Sequence, residues 1–303
     1  MEKYIKVLFV IFNLSCFQAP AEQQKFAAND FSHWLNAAYI AEATYQSKEA
    51  IAKQLEPLGY EINQFHQVEG FSIAYVLATN ETTKQHLIAV RGTSNMDNAI
   101  VDAAFVLVPD KLSGVDIHQG FLLSARDIYQ HIQSEINPKY KINTIGHSLG
   151  GAAALILAMM FDAQGYETGE IITFGQPKVT NISGSRKFKH LNIIRLVTPK
   201  DVVPLVPPLD PTDLMNFSIF WHQGSEIVLF ENNQYSVLTG VDSMMRATSF
   251  LNDIPSEQHL SNHFMSSYIS HLKNKLENPV EIKYESDFKF SDWFGMDKKT
   301  NSQ

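Results

Sequence analysis

Residues 141–161 read KINTIGHSLGGAAALILAMMF, and their order decides the fold. Lys141–Ile145 has the length and apolar content of a strand, Gly146-His147-Ser148-Leu149-Gly150 turns the chain, and Leu149–Phe161 is an uncharged apolar run of helical length. A strand that feeds a helix through G-x-S-x-G is the context in which such a turn carries a nucleophile. Glycines two before and two after the serine allow a tight, strained turn that lifts the Ser148 hydroxyl above the sheet edge. The serine then stands at a helix N-terminus, where free N–H groups and the dipole favour a developing anion.

Outward from this unit, strand and helix patterns alternate. Phe71–Ala78, His86–Arg91, Glu170–Phe174 and Leu191–Val197 are expected as strands, the last two near-continuously apolar as strands buried on both faces are. Glu226–Phe230 and Gln234–Leu238 read as a hairpin near one edge. Phe31–Tyr45, Ile117–Ile136 and Leu260–His271 are expected as helices. The pattern predicts one α/β domain with a mostly parallel central sheet and helices packed on it, spanning residues 22–277, with 278–303 as a loosely packed tail.

The chain has 303 residues, 45% apolar and 18% charged, enough for one large core. A net charge of −8 supplies no basic footprint, which argues against a nucleic-acid partner and favours neutral or apolar ligands. The one cysteine, Cys16, leaves no internal disulfide framework and no thiolate zinc cluster. Lys3 and Lys6 ahead of the apolar stretch Val7–Phe17, followed by Ala19-Pro20-Ala21, read as an export signal over residues 1–21, with the mature chain starting near Glu22. The stretch is well short of the roughly 20 apolar residues of a spanning helix, so no transmembrane segment is expected. A lipid anchor on Cys16 is the weaker reading, because Asn13-Leu14-Ser15 fits the lipoprotein pattern poorly.

A serine hydroxyl needs a base to take its proton, and hydrolases of this architecture supply acid and base in the order Ser, Asp, His. Asp201 follows the strand Leu191–Val197 and leads the acids, with Asp210 and Asp213 as competitors in a proline-rich loop. His259 and His263, four apart, are the candidate bases, while His222 and His190 read as scaffold. The same pair could face one metal ion, but it lacks the glutamate of H-E-x-x-H and a third ligand, so neither metal nor cofactor is expected. Arg91-Gly92-Thr93 after a strand is the natural oxyanion loop: Thr93 offers its N–H and hydroxyl, and Leu149 the N–H after the nucleophile.

These segments together resemble the class 3 lipases, the fungal-lipase-like family with the α/β-hydrolase fold. The matching blocks are Ile88–Thr93, His118–Phe121, Gly146–Gly151, Thr173–Val179, Asp201–Pro204 and Trp221–Gly224, in the family's order. The resemblance implies Ser148 as nucleophile, Asp201 as acid, Thr93 as oxyanion residue and Asp102 as the group that orients the Thr93 hydroxyl. It also favours His263 as base, because the family's histidine commonly precedes a tyrosine by five residues, as His263 precedes Tyr268. Asn98 stands where the family usually carries tryptophan, and Val90 where it carries phenylalanine. Ser94–Val108 could form an apolar flap over the site or a plain buried connection.

The expectation is therefore a secreted serine carboxylester hydrolase, a lipase acting on acylglycerols or similar lipid esters at a lipid–water interface. A phospholipase A1 or an acyltransferase would use the same machinery. A catalytically silent α/β-hydrolase-fold binding protein is the alternative of a different class, and the retained triad residue types speak against it.

Overall fold

A strand buried on both faces must send alternate side chains into two separate cores, and the apolar runs do so. Leu77, Ile88, Ile171 and Ile193 enter one core, while Val76, Ala89, Ile172 and Ile194 enter the other. The computed structural model describes residues 26–67, 74–93, 105–208, 219–248 and 261–285. Among them the main sheet has nine strands, β1 (Glu61–Gln67), β2 (Ala74–Asn80), β3 (Gln85–Val90), β6 (Lys141–His147), β7 (Thr168–Phe174), β9 (Asn192–Val197), β11 (Ser225–Leu229), β12 (Gln234–Leu238) and β13 (Val280–Glu281), side by side in that order. The run from β3 through β6, β7 and β9 to β11 is parallel. The pairs β1–β2, β2–β3 and β11–β12 are antiparallel. A smaller antiparallel sheet orders β10 (Phe220–Trp221), β8 (Thr180–Asn181), β5 (Val115–His118) and β4 (Leu107–Asp110).

Helices cover both faces of the main sheet. Leu149–Ala163 is apolar all round because it is enclosed all round: every residue from Gly150 to Phe161 is buried between the sheet and helix Gln119–Ile132. The opposite face takes Ala28–Ala43, through Phe31, Trp34, Ala38 and Ala41, together with Met265–Lys273. No helix among the described residues is long and apolar enough to cross a membrane.

Three expected helices differ in their bounds from the sequence reading. The first runs Ala28–Ala43 rather than Phe31–Tyr45, which leaves Tyr45 beyond its end. Ile117 and His118 close strand β5, and the helix runs Gln119–Ile132 rather than Ile117–Ile136. His118 is its N-cap, with Nδ1 facing the Phe121 N–H at 3.5 Å. Asn137-Pro138 then bars helix at the far end. The C-terminal helix is Met265–Lys273 rather than Leu260–His271, so His263 lies in the turn ahead of it instead of on its surface. The first residues of the expected tail are ordered: Val280–Glu281 pairs with Gln234–Tyr235 as the edge strand β13. Residues 1–25 and 286–303 lie outside the described residues, as do Phe71–Ile73 of the expected strand Phe71–Ala78.

Candidate active site

The parallel strands point their C-terminal ends the same way, and the candidate residues follow those ends. Thr93 follows β3, Ser148 follows β6, Gly175 follows β7 and Asp201 follows β9. Ladder hydrogen bonds continue past the strands and fix the turns: the Ser148 N–H donates to the Phe174 carbonyl at 2.8 Å, and the Gly175 N–H to the Leu196 carbonyl at 3.0 Å.

Ser148 holds φ 60° and ψ −130°, a region that costs a non-glycine residue strain and that marks functional turns. The glycines of the motif make the turn possible. A Cβ on Gly146 would collide with the Gly150 backbone carbonyl, and one on Gly150 with the Val90 carbonyl. Ser148 is the N-cap of Leu149–Ala163, so the Leu149 N–H stands among the free donors of that helix end.

His263 and Asp201 come together from segments distant in sequence, the turn before Met265–Lys273 and the loop after β9. His263 Nδ1 lies 2.7 Å from Asp201 Oδ2, with both side chains buried. The same carboxylate accepts the Tyr268 hydroxyl proton on Oδ2 and the Val203 N–H on Oδ1 at 2.9 Å. Burial pushes the Asp201 carboxyl up, but His263, Tyr268 and the Val203 N–H together hold it below the usual carboxylate range. An ionised Asp201 accepts the Nδ1–H hydrogen bond, which leaves Nε2 of the neutral ring as the basic nitrogen; that atom is buried without a hydrogen-bond partner among the described residues. Gly175, at φ 58°, closes the packing: an added Cβ would come within 2.6 Å of His263 Cε1 and 2.8 Å of Asp201 Oδ2. A second tie holds the histidine turn, where Thr198 Oγ1 donates to the Asn262 carbonyl at 3.1 Å.

Thr93 ends the described part of its loop, half-buried, beside the serine turn: the Cβ position of Gly92 is 3.0 Å from Ser148 Cβ. Asp102, His259, Asp210 and Asp213 lie outside the described residues, as does Asn98. His222 is buried and bonds the Pro204 carbonyl at 2.6 Å, and His190 sits at the surface 3.0 Å from Asp162, so both serve the scaffold. A cavity of about 380 Å³ between helix Ala28–Ala43 and the sheet, lined by His33, Gln85, Asn143 and Glu170, opens near the starts of β3, β6 and β7 and is thus at the opposite end from these residues.

Comparison with known proteins adds an independent line. The family profile described as "Lipase (class 3)" matches residues 87–210. Over that segment the chain is similar to the class 3 lipases. It is 31% identical over 179 residues to the lipase of Rhizomucor miehei, covering 54% of this chain and 46% of that one. It is 33% identical over 145 residues to the secreted mono- and diacylglycerol lipase 1 of Fusarium solani, covering 45% and 43%. The chain thus spans about half the length of the curated relatives it matches. Among solved structures, lipase II from Rhizopus niveus superposes with a TM-score of 0.57 at 24% identity, over 67% of this chain and 82% of that one. MDLA from Penicillium cyclopium gives a TM-score of 0.62 at 22% identity, over 82% and 97%. The fold is the α/β-hydrolase fold.

The matched segment contains Thr93, Ser148, Leu149, Gly175 and Asp201, whereas His263 and Tyr268 come from beyond it. Sequence reasoning missed three residues that shape the site. Gly175 stood inside a quoted block without a role, His147 occupied the variable position of the motif, and Tyr45 read as the last packing residue of a helix. Only Gly175 left a signal, a lone glycine directly after an apolar strand.

Proposed function

We propose that the chain is a serine carboxylester hydrolase, a secreted lipase acting on acylglycerols or similar lipid esters. The observation that carries this reading is the convergence at one sheet edge of a strained Ser148 turn and a buried His263–Asp201 pair 2.7 Å apart, with the ring packed against Gly175. His263 Nε2 takes the Ser148 proton as Oγ attacks the ester carbonyl, and Asp201 keeps the ring in the required tautomer and stabilises the imidazolium. The N–H groups of Thr93 and Leu149, with the Thr93 hydroxyl oriented by Asp102, receive the oxyanion. His263 then returns the proton to the departing alcohol, and water releases the acid from the acyl-enzyme.

Relatives named lipase and mono- and diacylglycerol lipase support the lipid ester as substrate, and the secreted ones support export through residues 1–21. In the test, the purified protein is treated with a fluorophosphonate probe and assayed on p-nitrophenyl esters, a monoacylglycerol, triolein and phosphatidylcholine. The label is expected on Ser148, and Ser148→Ala is expected to fold normally and to lose about a millionfold in kcat, as triad serines do. Near wild-type turnover in a folded Ser148→Ala protein would remove Ser148 as nucleophile. Turnover of phosphatidylcholine alone would move the substrate class to phospholipids.

A further inference from the structure

Tyr45 follows the helix Ala28–Ala43, and its hydroxyl lies between parts of the site that are distant in sequence. It accepts the Gly92 N–H at 3.1 Å and lies 2.8 Å from His147 Nδ1. His147 Nε2 in turn lies 2.7 Å from the His263 carbonyl oxygen. A carbonyl can only accept, so Nε2 carries the ring proton and donates it; Nδ1 of the neutral ring is then an acceptor, and the Tyr45 O–H donates to it. The protons therefore run one way, from the Gly92 N–H through Tyr45 and His147 to the His263 carbonyl. Burial, with His263 beside it, pushes His147 down to about 3, and burial pushes the Tyr45 hydroxyl far above its ordinary value. Both groups stay neutral across the working range of pH, and the order is fixed.

The chain of bonds begins on the residue before Thr93, passes through the residue before Ser148 and ends on the backbone of His263. The packing leaves little slack around it: the rings of His147 and His263 are 4.5 Å apart, and a Cβ on Gly92 would lie 2.5 Å from the Tyr45 hydroxyl. Neither side chain has a place in the proton transfers of ester hydrolysis. We propose that Tyr45 and His147 are positioning residues that hold the Thr93 loop and the His263 turn in register with the Ser148 turn, an inference that rests on the hydrolase reading for its kinetic consequence.

The test compares the full chain with Tyr45→Phe, which deletes one oxygen and keeps the ring. A catalytic array displaced by a fraction of an ångström loses rate rather than binding, so kcat on a p-nitrophenyl ester is expected to fall about 10- to 100-fold with KM changed less than about threefold. The Gly92 amide proton, freed of its acceptor, is expected to move upfield in the NMR spectrum. A kcat within about twofold of wild type in folded Tyr45→Phe, a rise in KM alone, or an unmoved Gly92 resonance would each overturn the proposal. If Tyr45→Phe does not fold, His147→Gln against His147→Leu decides: glutamine keeps an acceptor and a donor and should retain more of kcat, and equal losses would sink the tie. A wild-type protein that neither hydrolyses esters nor takes the phosphonate would defeat the hydrolase reading, and the Gly92 resonance would still decide whether the tie exists.

Discussion

Asp201 accepts hydrogen bonds from three directions, and each donor comes from a different segment: the turn at His263, the helix residue Tyr268 and its own loop at Val203. All three favour the carboxylate over the acid, so the group contributes stability above its unfolded value and loses it as pH falls through its depressed folded value. Tyr268→Phe removes one donor and raises that folded value, so the acid unfolding midpoint followed by circular dichroism is expected to move to higher pH; an unmoved midpoint would mean the hydroxyl adds nothing. The contact also explains how much of the site was legible. The spacing of Tyr268 from His263 pointed to the histidine that meets Asp201, yet the tyrosine bonds Asp201 and not His263. Ser148 was legible because the strand, turn and helix around it each leave a pattern. Tyr45 and His147 were not, because their importance lies in where hydrogen bonds end, and a tyrosine after a helix reads the same whether its hydroxyl meets water or a buried amide.

At the scale of elements, long buried strands and helices show in the sequence and short or irregular ones do not. β1 carries only Ile62 and Phe65 as apolar residues, and a register shift between Ile62 and Gln64 breaks the alternation that would have marked it. The strands of the small sheet, such as Thr180–Asn181 and Phe220–Trp221, are too short to establish a period. Loops held by buried polar groups are equally silent. Lys178, fully buried, donates to the carbonyls of Leu205 and, at 2.7 Å, Pro207, and so fastens the loop after Asp201 to the segment after β7. Burial lowers its ammonium to about 7, with Arg246 and Arg195 acting in the same direction against Glu226. Between that value and the ordinary lysine value near 10.4 the unfolded chain binds more protons than the folded one, so this group makes stability rise with pH. The urea midpoint of the wild type is therefore expected to climb between pH 7 and 9 more steeply than that of Lys178→Met. Parallel curves would show that the lysine stays charged in the fold.

For the whole molecule, the site's surroundings matter as much as its groups. Phe264 directly follows His263 and is 61% exposed, so an apolar side chain reaches the solvent next to the proposed base. Single exposed apolar residues are ordinary, but this one adjoins the proposed reacting centre. Phe264→Ser is expected to lower turnover of an emulsified triglyceride several-fold more than turnover of a dissolved short-chain ester, and equal losses on both would assign Phe264 to folding rather than to the lipid surface. At the far edge of the sheet, Tyr235 pairs through its backbone with Glu281 and through its hydroxyl with both the N–H and the carbonyl of Phe26, at 3.0 and 3.1 Å. One residue of β12 thus clasps the two outermost parts of the described chain. Phe26 and Glu281 thus meet on one side chain, and a chain trimmed to these two residues and closed by a short linker would become a ring that can be cut elsewhere, letting the same sheet be written from a different starting residue with the Ser148 edge untouched.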